Sequence, residues 1–154
     1  MSAKSAKKQF DSKIDDLGGN DSPKAQAFAK NLDEERKVNP DKTSNEQMDT
    51  AMKSTLNQEF GPGSGAMIKG FAGGTFSGSK FKEAVGMYEK AKHGMKASGI
   101  TDKKEIASKL KEATVTARNA FTADKKSKFN GGEKPLGHYL SGELSKFRDI
   151  DKLE

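Results

Sequence analysis

Apolar residues in this chain recur at steps of three and four almost from end to end, and strict alternation is absent. That periodicity places side chains on one stripe of a helix and excludes the half-buried strand. Ala3, Ala6, Phe10, Ile14 and Leu17 form the first such stripe, closed by Gly18 and Gly19. A pair of glycines there supplies the left-handed conformation that ends many helices. Asp21, Ser22 and Pro23 read as the next start, because proline at a first helical position sacrifices no hydrogen bond. Ala25, Phe28 and Leu32 carry that second stripe until Pro40.

Ser44 with Gln47 reads as a capping box, followed by Met48, Met52, Leu56 and Phe60. Beyond residue 78, one stripe runs from Phe81 through Ala84, Val85, Tyr88 and Ala91 to Met95, and Gly99 follows it. Thr101, Asp102 and Glu105 open the next, where early acids complement the helix dipole. Ile106, Leu110, Ala113, Ala117 and Phe121 are its buried positions, and Leu136, Leu140, Leu144 and Phe147 mark a last helix. The expected fold is therefore all-α, about six short amphipathic helices in a small orthogonal or irregular bundle. A further turn is expected at "TADKKSKF". Only 32% of the 154 residues are apolar in the AVILMFWYC sense, so the core is thin and each helix depends on packing or on a partner for its order.

The stretch "GPGSGAMIKGFAGGTFSG" (61–78) holds seven of the sixteen glycines. Gly65 and Gly70 have the first spacing of a phosphate loop, but Phe71 stands where its lysine belongs. Gly61, Gly63 and Ala66 meet the dinucleotide pattern, but a helix precedes them where that pattern requires a strand. Small residues four apart drive membrane helix contacts only inside a long apolar segment, and Lys69 interrupts this one. The stretch is read as a connector whose few apolar residues tuck against the helices. Three regions are expected: a helical segment over 1–60, partly disordered in isolation; the connector over 61–78; and a basic helical segment over 79–154.

Charge is unevenly distributed along these regions. Residues 1–78 hold 11 Lys/Arg and 11 Asp/Glu, residues 79–128 hold 13 and 6, and residues 129–154 hold 4 and 5. All of the net +6 sits in the middle third. On a helical wheel, Lys104, Lys111 and Arg118 point away from the stripe of residues 102–121, and Lys125, Lys126 and Lys128 extend the charge beyond Phe121. These six are the candidate anion-binding residues. Such a ridge fits nucleic-acid phosphates without base reading, or an acidic protein surface; the same lysines also serve a solvated face. "KKEIASKLKEATVTARNAF" resembles a helix-turn-helix segment through Ala107, Ile106 and Leu110. Lys111 replaces the turn glycine, however, and the stripe keeps its phase, so one unbroken helix is expected. "FTADKKSKFNGGEKP" is similar to the repetitive C-terminal segment of the tubulin-polymerisation-promoting family, and no residue role is carried over from it.

Catalytic signals are sparse. The chain has no cysteine and two histidines, His93 and His138, neither at a metal-ligand interval. No metal site and no cofactor are expected. A carboxyl acts as an acid only beside an apolar wall; Glu59, between Leu56 and Phe60, has such neighbours, and His138 lies beside Tyr139. These two are the candidates for a small acid–base enzyme. No secretory signal or membrane span is read, so the chain is placed inside the cell, in the cytoplasm or with nucleic acid. The principal expectation is a non-enzymatic helical protein whose basic C-terminal half contacts nucleic acid without sequence specificity. Alternatively its helices are incompletely buried and pack on a protein partner or self-assemble, as in a virion, filament or scaffold.

Overall fold

A computed structural model describes residues 3–126 and 135–148, except for the side chains of 124–126 and 148. Among the described residues there are seven helices and no strand: α1 (Ala3–Asp16), α2 (Pro23–Val38), α3 (Ser44–Phe60), α4 (Ser64–Phe71), α5 (Gly78–Ala97), α6 (Lys103–Lys126) and α7 (Leu136–Arg148). The chain is all-helical as its periodicity predicts, with two local differences. The additional helix is α4, inside the glycine-rich stretch. "TADKKSKF" contributes no separate turn up to Lys126, because α6 runs through it, and residues 127–129 lie outside the described ones. Two compact units divide after Lys82, within α5.

In the N-terminal unit, α1 ends as the glycines require: Gly18 and Gly19 have φ of 110° and 91°, and the Gly19 N–H donates to the Ile14 carbonyl at 2.9 Å. The Ser22 hydroxyl donates to the Leu17 carbonyl at 2.6 Å; it fixes the α1–α2 turn and does not cap α2 with its side chain. The box opening α3 is Thr43 with Glu46, one residue earlier than Ser44 with Gln47. Thr43 Oγ1 accepts from the Glu46 N–H at 3.2 Å, and Glu46 Oε1 accepts from the Thr43 N–H at 3.4 Å. Gln47 is instead buried, its Nε2 donating to the Asn39 carbonyl at 2.9 Å. Burial decides between the two registers: a side chain that faces the core cannot also fold back over the helix start.

Phe28, Leu32, Met48, Met52, Leu56 and Phe60 form the centre of this unit, each contributing about 1.5–3 kcal/mol by leaving water. Asn31 Nδ2 joins α2 to α3 through Thr55 Oγ1 (3.0 Å) and Gln58 Oε1 (3.1 Å).

Helix α4 forms despite its glycines because α3 supplies what its own sequence lacks. Asn57 Oδ1 accepts from the Gly65 N–H at 2.8 Å, satisfying a donor at the helix start, and Ile68 and Phe71 are buried. The following strap is pinned at Phe76, which is buried. Lys13 Nζ donates to the Phe76 carbonyl at 2.9 Å. Lys69 Nζ lies 5.4 Å from the Phe76 ring centroid and 2.9 Å from Asp49 Oδ2.

Burial pushes the Lys13 ammonium below its ordinary range, and the charges of Asp16 and Asp49 restore part of it. The folded chain thus holds this proton less tightly than the unfolded chain does. Stability accordingly rises with pH in the window just below 10.5, where the desolvated charge is lost. In thermal melts, Lys13→Met is expected to flatten that rise relative to the parent protein.

In the C-terminal unit, the connection over 98–102 is short, so α6 returns antiparallel to α5. The Tyr88 hydroxyl meets Thr114 Oγ1 at 2.6 Å. Since Thr114 donates to the Leu110 carbonyl at 2.8 Å, Tyr88 is the donor of that pair. At the other end Phe121 stands edge-on to Tyr139 at 5.9 Å, and a carboxylate oxygen of Glu83 lies 2.6 Å from where a Cβ on Gly137 would fall. Helix α7 therefore runs antiparallel to α6 and parallel to α5, an up-down-up arrangement around Tyr88, Met95, Ile106, Leu110, Leu140 and Leu144.

Candidate polyanion-binding face

The outer face of α6 is built from its first turn. Asp102 Oδ2 accepts from the Glu105 N–H at 3.0 Å, and Ile106, Ala107, Leu110, Ala113, Thr114 and Ala117 turn into the unit's core. A helix anchored along one stripe presents its opposite stripe in fixed register. Lys104, Ser108, Lys111, Val115 and Arg118 are all exposed there. The seven-residue step separates successive cations by about 10.5 Å. Lys125 and Lys126 continue the α6 backbone, but their side chains, and all of Lys128, lie outside the described residues. Helix α6 is unbroken through Lys111 and Glu112, without the turn that a helix-turn-helix needs.

Charge is segregated around α6. On the flank facing α7, Lys109 and Glu112 share a shallow cleft with Glu143 and Lys146, and Lys146 Nζ is 2.9 Å from Glu143 Oε2. That flank is balanced. On the other flank, Arg118 acts on the Tyr88 phenol, whose pKa is raised by burial and lowered in part by the Arg118 charge. At 100° per residue Thr114, which meets Tyr88 of α5, lies between the buried stripe and the cationic row, so the row leans toward α5. Sequence periodicity finds the row but not this lean, which needs the Tyr88–Thr114 contact between helices.

The other candidate residues have different surroundings. Glu59 is half-buried on the last turn of α3 and has a polar or ring partner in the fold. His138 is exposed, its ring edge-on to Tyr139 at 5.6 Å. The two residues belong to different units. At the phosphate-loop candidate, Ser64 and Gly65 are buried and the Gly65 N–H already faces Asn57, so the start of α4 is covered by protein. Among the described residues no three His, Asp or Glu side chains converge as metal ligands do. No described helix is long and apolar enough to cross a membrane. The chain matches no protein-family model, no curated protein and no solved structure.

Proposed function

We propose that this protein binds nucleic acid through the basic face of its C-terminal unit, holding phosphates without reading bases and performing no chemistry on them. The observation that carries this reading is the row Lys104, Lys111 and Arg118, exposed on the side of α6 opposite its buried stripe. Two of the three are lysines, point charges on flexible stems that meet phosphates more readily than base edges. Lys125, Lys126 and Lys128 lengthen the row in sequence. Assembly through incompletely buried helices draws less support: Met48, Met52 and Met95 are fully enclosed, and the large hydrophobics exposed among the described residues are Val38 (74%) and Val115 (47%). One exposed valine in each unit makes no patch of the size that marks protein association.

Fluorescence anisotropy with labelled DNA across a salt series tests the proposal. Each neutralised phosphate releases counterions, so the logarithm of affinity falls against the logarithm of salt with a slope of about −0.9 per contact. Three contacts give a slope of about −2.7, and six give about −5.4. Binding that is absent at low salt, or indifferent to salt, refutes it.

A further inference from the structure

We infer that the binding face is a two-helix groove to which α5 contributes a second cationic row, and that its ligand is double-stranded nucleic acid. This rests on the proposed function above and specifies its ligand.

The second row follows from the register of the C-terminal unit. Tyr88 and Thr114 are level with each other, and the helices are antiparallel, so Lys92 is level with Leu110 and Lys96 with Ile106. Helix α7 occupies one flank of each partner, through Met87, Lys90 and Ala91 on α5 and through Lys109, Ala113 and Thr116 on α6. The opposite flanks meet in an outer groove. On α5, at 100° per residue, that flank carries Glu89, Lys92 and Lys96; on α6 it carries Lys104, Lys111 and Arg118. Lys96 is exposed and Lys92 half-buried. Glu89 shares the groove as its acid, leaving five cations to one carboxylate. Packed helix axes lie about 8–10 Å apart, so the two rows face a ligand of some breadth, not a single line of charge.

The other side chains on this face select among polyanions. Single strands are gripped by platforms of phenylalanine, tyrosine or tryptophan on which bases stack, and no Phe or Tyr ring is exposed among the described residues. Insertion into a lipid interface needs a broad apolar face, and Val115 is the large hydrophobic exposed on α6. A ligand with its bases stacked inside and phosphates outside satisfies both conditions, since it asks only for charge. Duplex nucleic acid has that form.

The test titrates the full chain with a labelled 20-base-pair DNA duplex, a single strand of equal length, and vesicles of phosphatidylcholine with phosphatidylserine. Lys96→Glu is compared with Lys146→Glu, which makes the same charge change on the α7 flank. The expected result is duplex binding at least about fivefold tighter than single-strand binding per phosphate, with vesicles bound more weakly still. Lys96→Glu should weaken duplex binding by about five- to twentyfold and reduce the salt slope by about 1, while Lys146→Glu changes affinity less than about twofold. Equal effects of the two variants, with duplex binding intact and lost in Lys111→Glu, overturn the second row and leave the α6 reading standing. Preference for the single strand or for vesicles overturns the choice of duplex. Absence of all polyanion binding overturns both readings together.

Discussion

Reversing Lys104, Lys111 and Arg118 together to glutamate is expected to weaken duplex DNA binding by more than about a hundredfold at low salt, with the thermal melt essentially unchanged. All three side chains are exposed and make no core contact that the reversal would remove. Glutamate has a helix propensity close to that of lysine and arginine, so α6 keeps its backbone. Each lost phosphate contact removes about one unit of salt slope, and each reversal adds repulsion to the lost attraction. The variant should therefore be weaker at every salt concentration, with a salt slope shallower by about 3 than the parent's. Anisotropy on parent and variant, with circular dichroism to verify that helicity is equal, reads both effects. An affinity unchanged by three reversals, with helicity retained, places any nucleic-acid contact elsewhere on the protein.

Gly65→Ala is expected to destabilise the N-terminal unit by about 1–3 kcal/mol, which lowers the melting temperature of a unit this size by about 10 °C. A Cβ at Gly65 would lie 2.8 Å from the backbone carbonyl oxygen of Lys53 and 3.0 Å from its Cα. Backbone atoms inside a packed helix cannot step aside, so α4 must lift from α3. The Gly65 N–H then draws away from Asn57 Oδ1, now 2.8 Å distant. Gly137→Ala is the matched control. There a Cβ would meet Glu83 Oε1 at 2.6 Å, the tip of a flexible side chain that can swing aside, and alanine gains about 0.8–1 kcal/mol of helix propensity over glycine. Gly137→Ala is thus expected to be neutral or stabilising. Equal losses from both substitutions in differential scanning calorimetry would contradict the close α3–α4 approach.

Local signals carried most of the helical reading because they act over one or two turns. The stripes of α2, α3, α5 and α6 lie inside where the three- and four-residue steps place them, except for Phe121, which is half-buried, and Gly18, Gly19 and Gly99 take positive φ at helix ends. The Thr43 box shows the limit of such signals. Both Thr43 with Glu46 and Ser44 with Gln47 satisfy the local pattern, and only the burial of Gln47 against Asn39 separates them. The candidate face divides in the same manner: the wheel identifies Lys104, Lys111 and Arg118, whereas Lys96 joins them only through the pairing of α5 with α6.

What the sequence by itself determined is the all-helical class, the inward stripes, and the outward cationic row of α6. Each depends on the 3.6-residue turn and on caps within a few residues. The glycine-rich stretch was decided by tertiary structure. Glycine's backbone freedom argues locally for a loop, and the opposing terms come from afar: the Asn57 cap, the burial of Ile68 and Phe71, and the Lys53 backbone against which only a residue without a side chain fits. The same glycines that weaken α4 as an isolated helix allow its approach to α3, and packing free energy, absent from any local window, settles which tendency prevails.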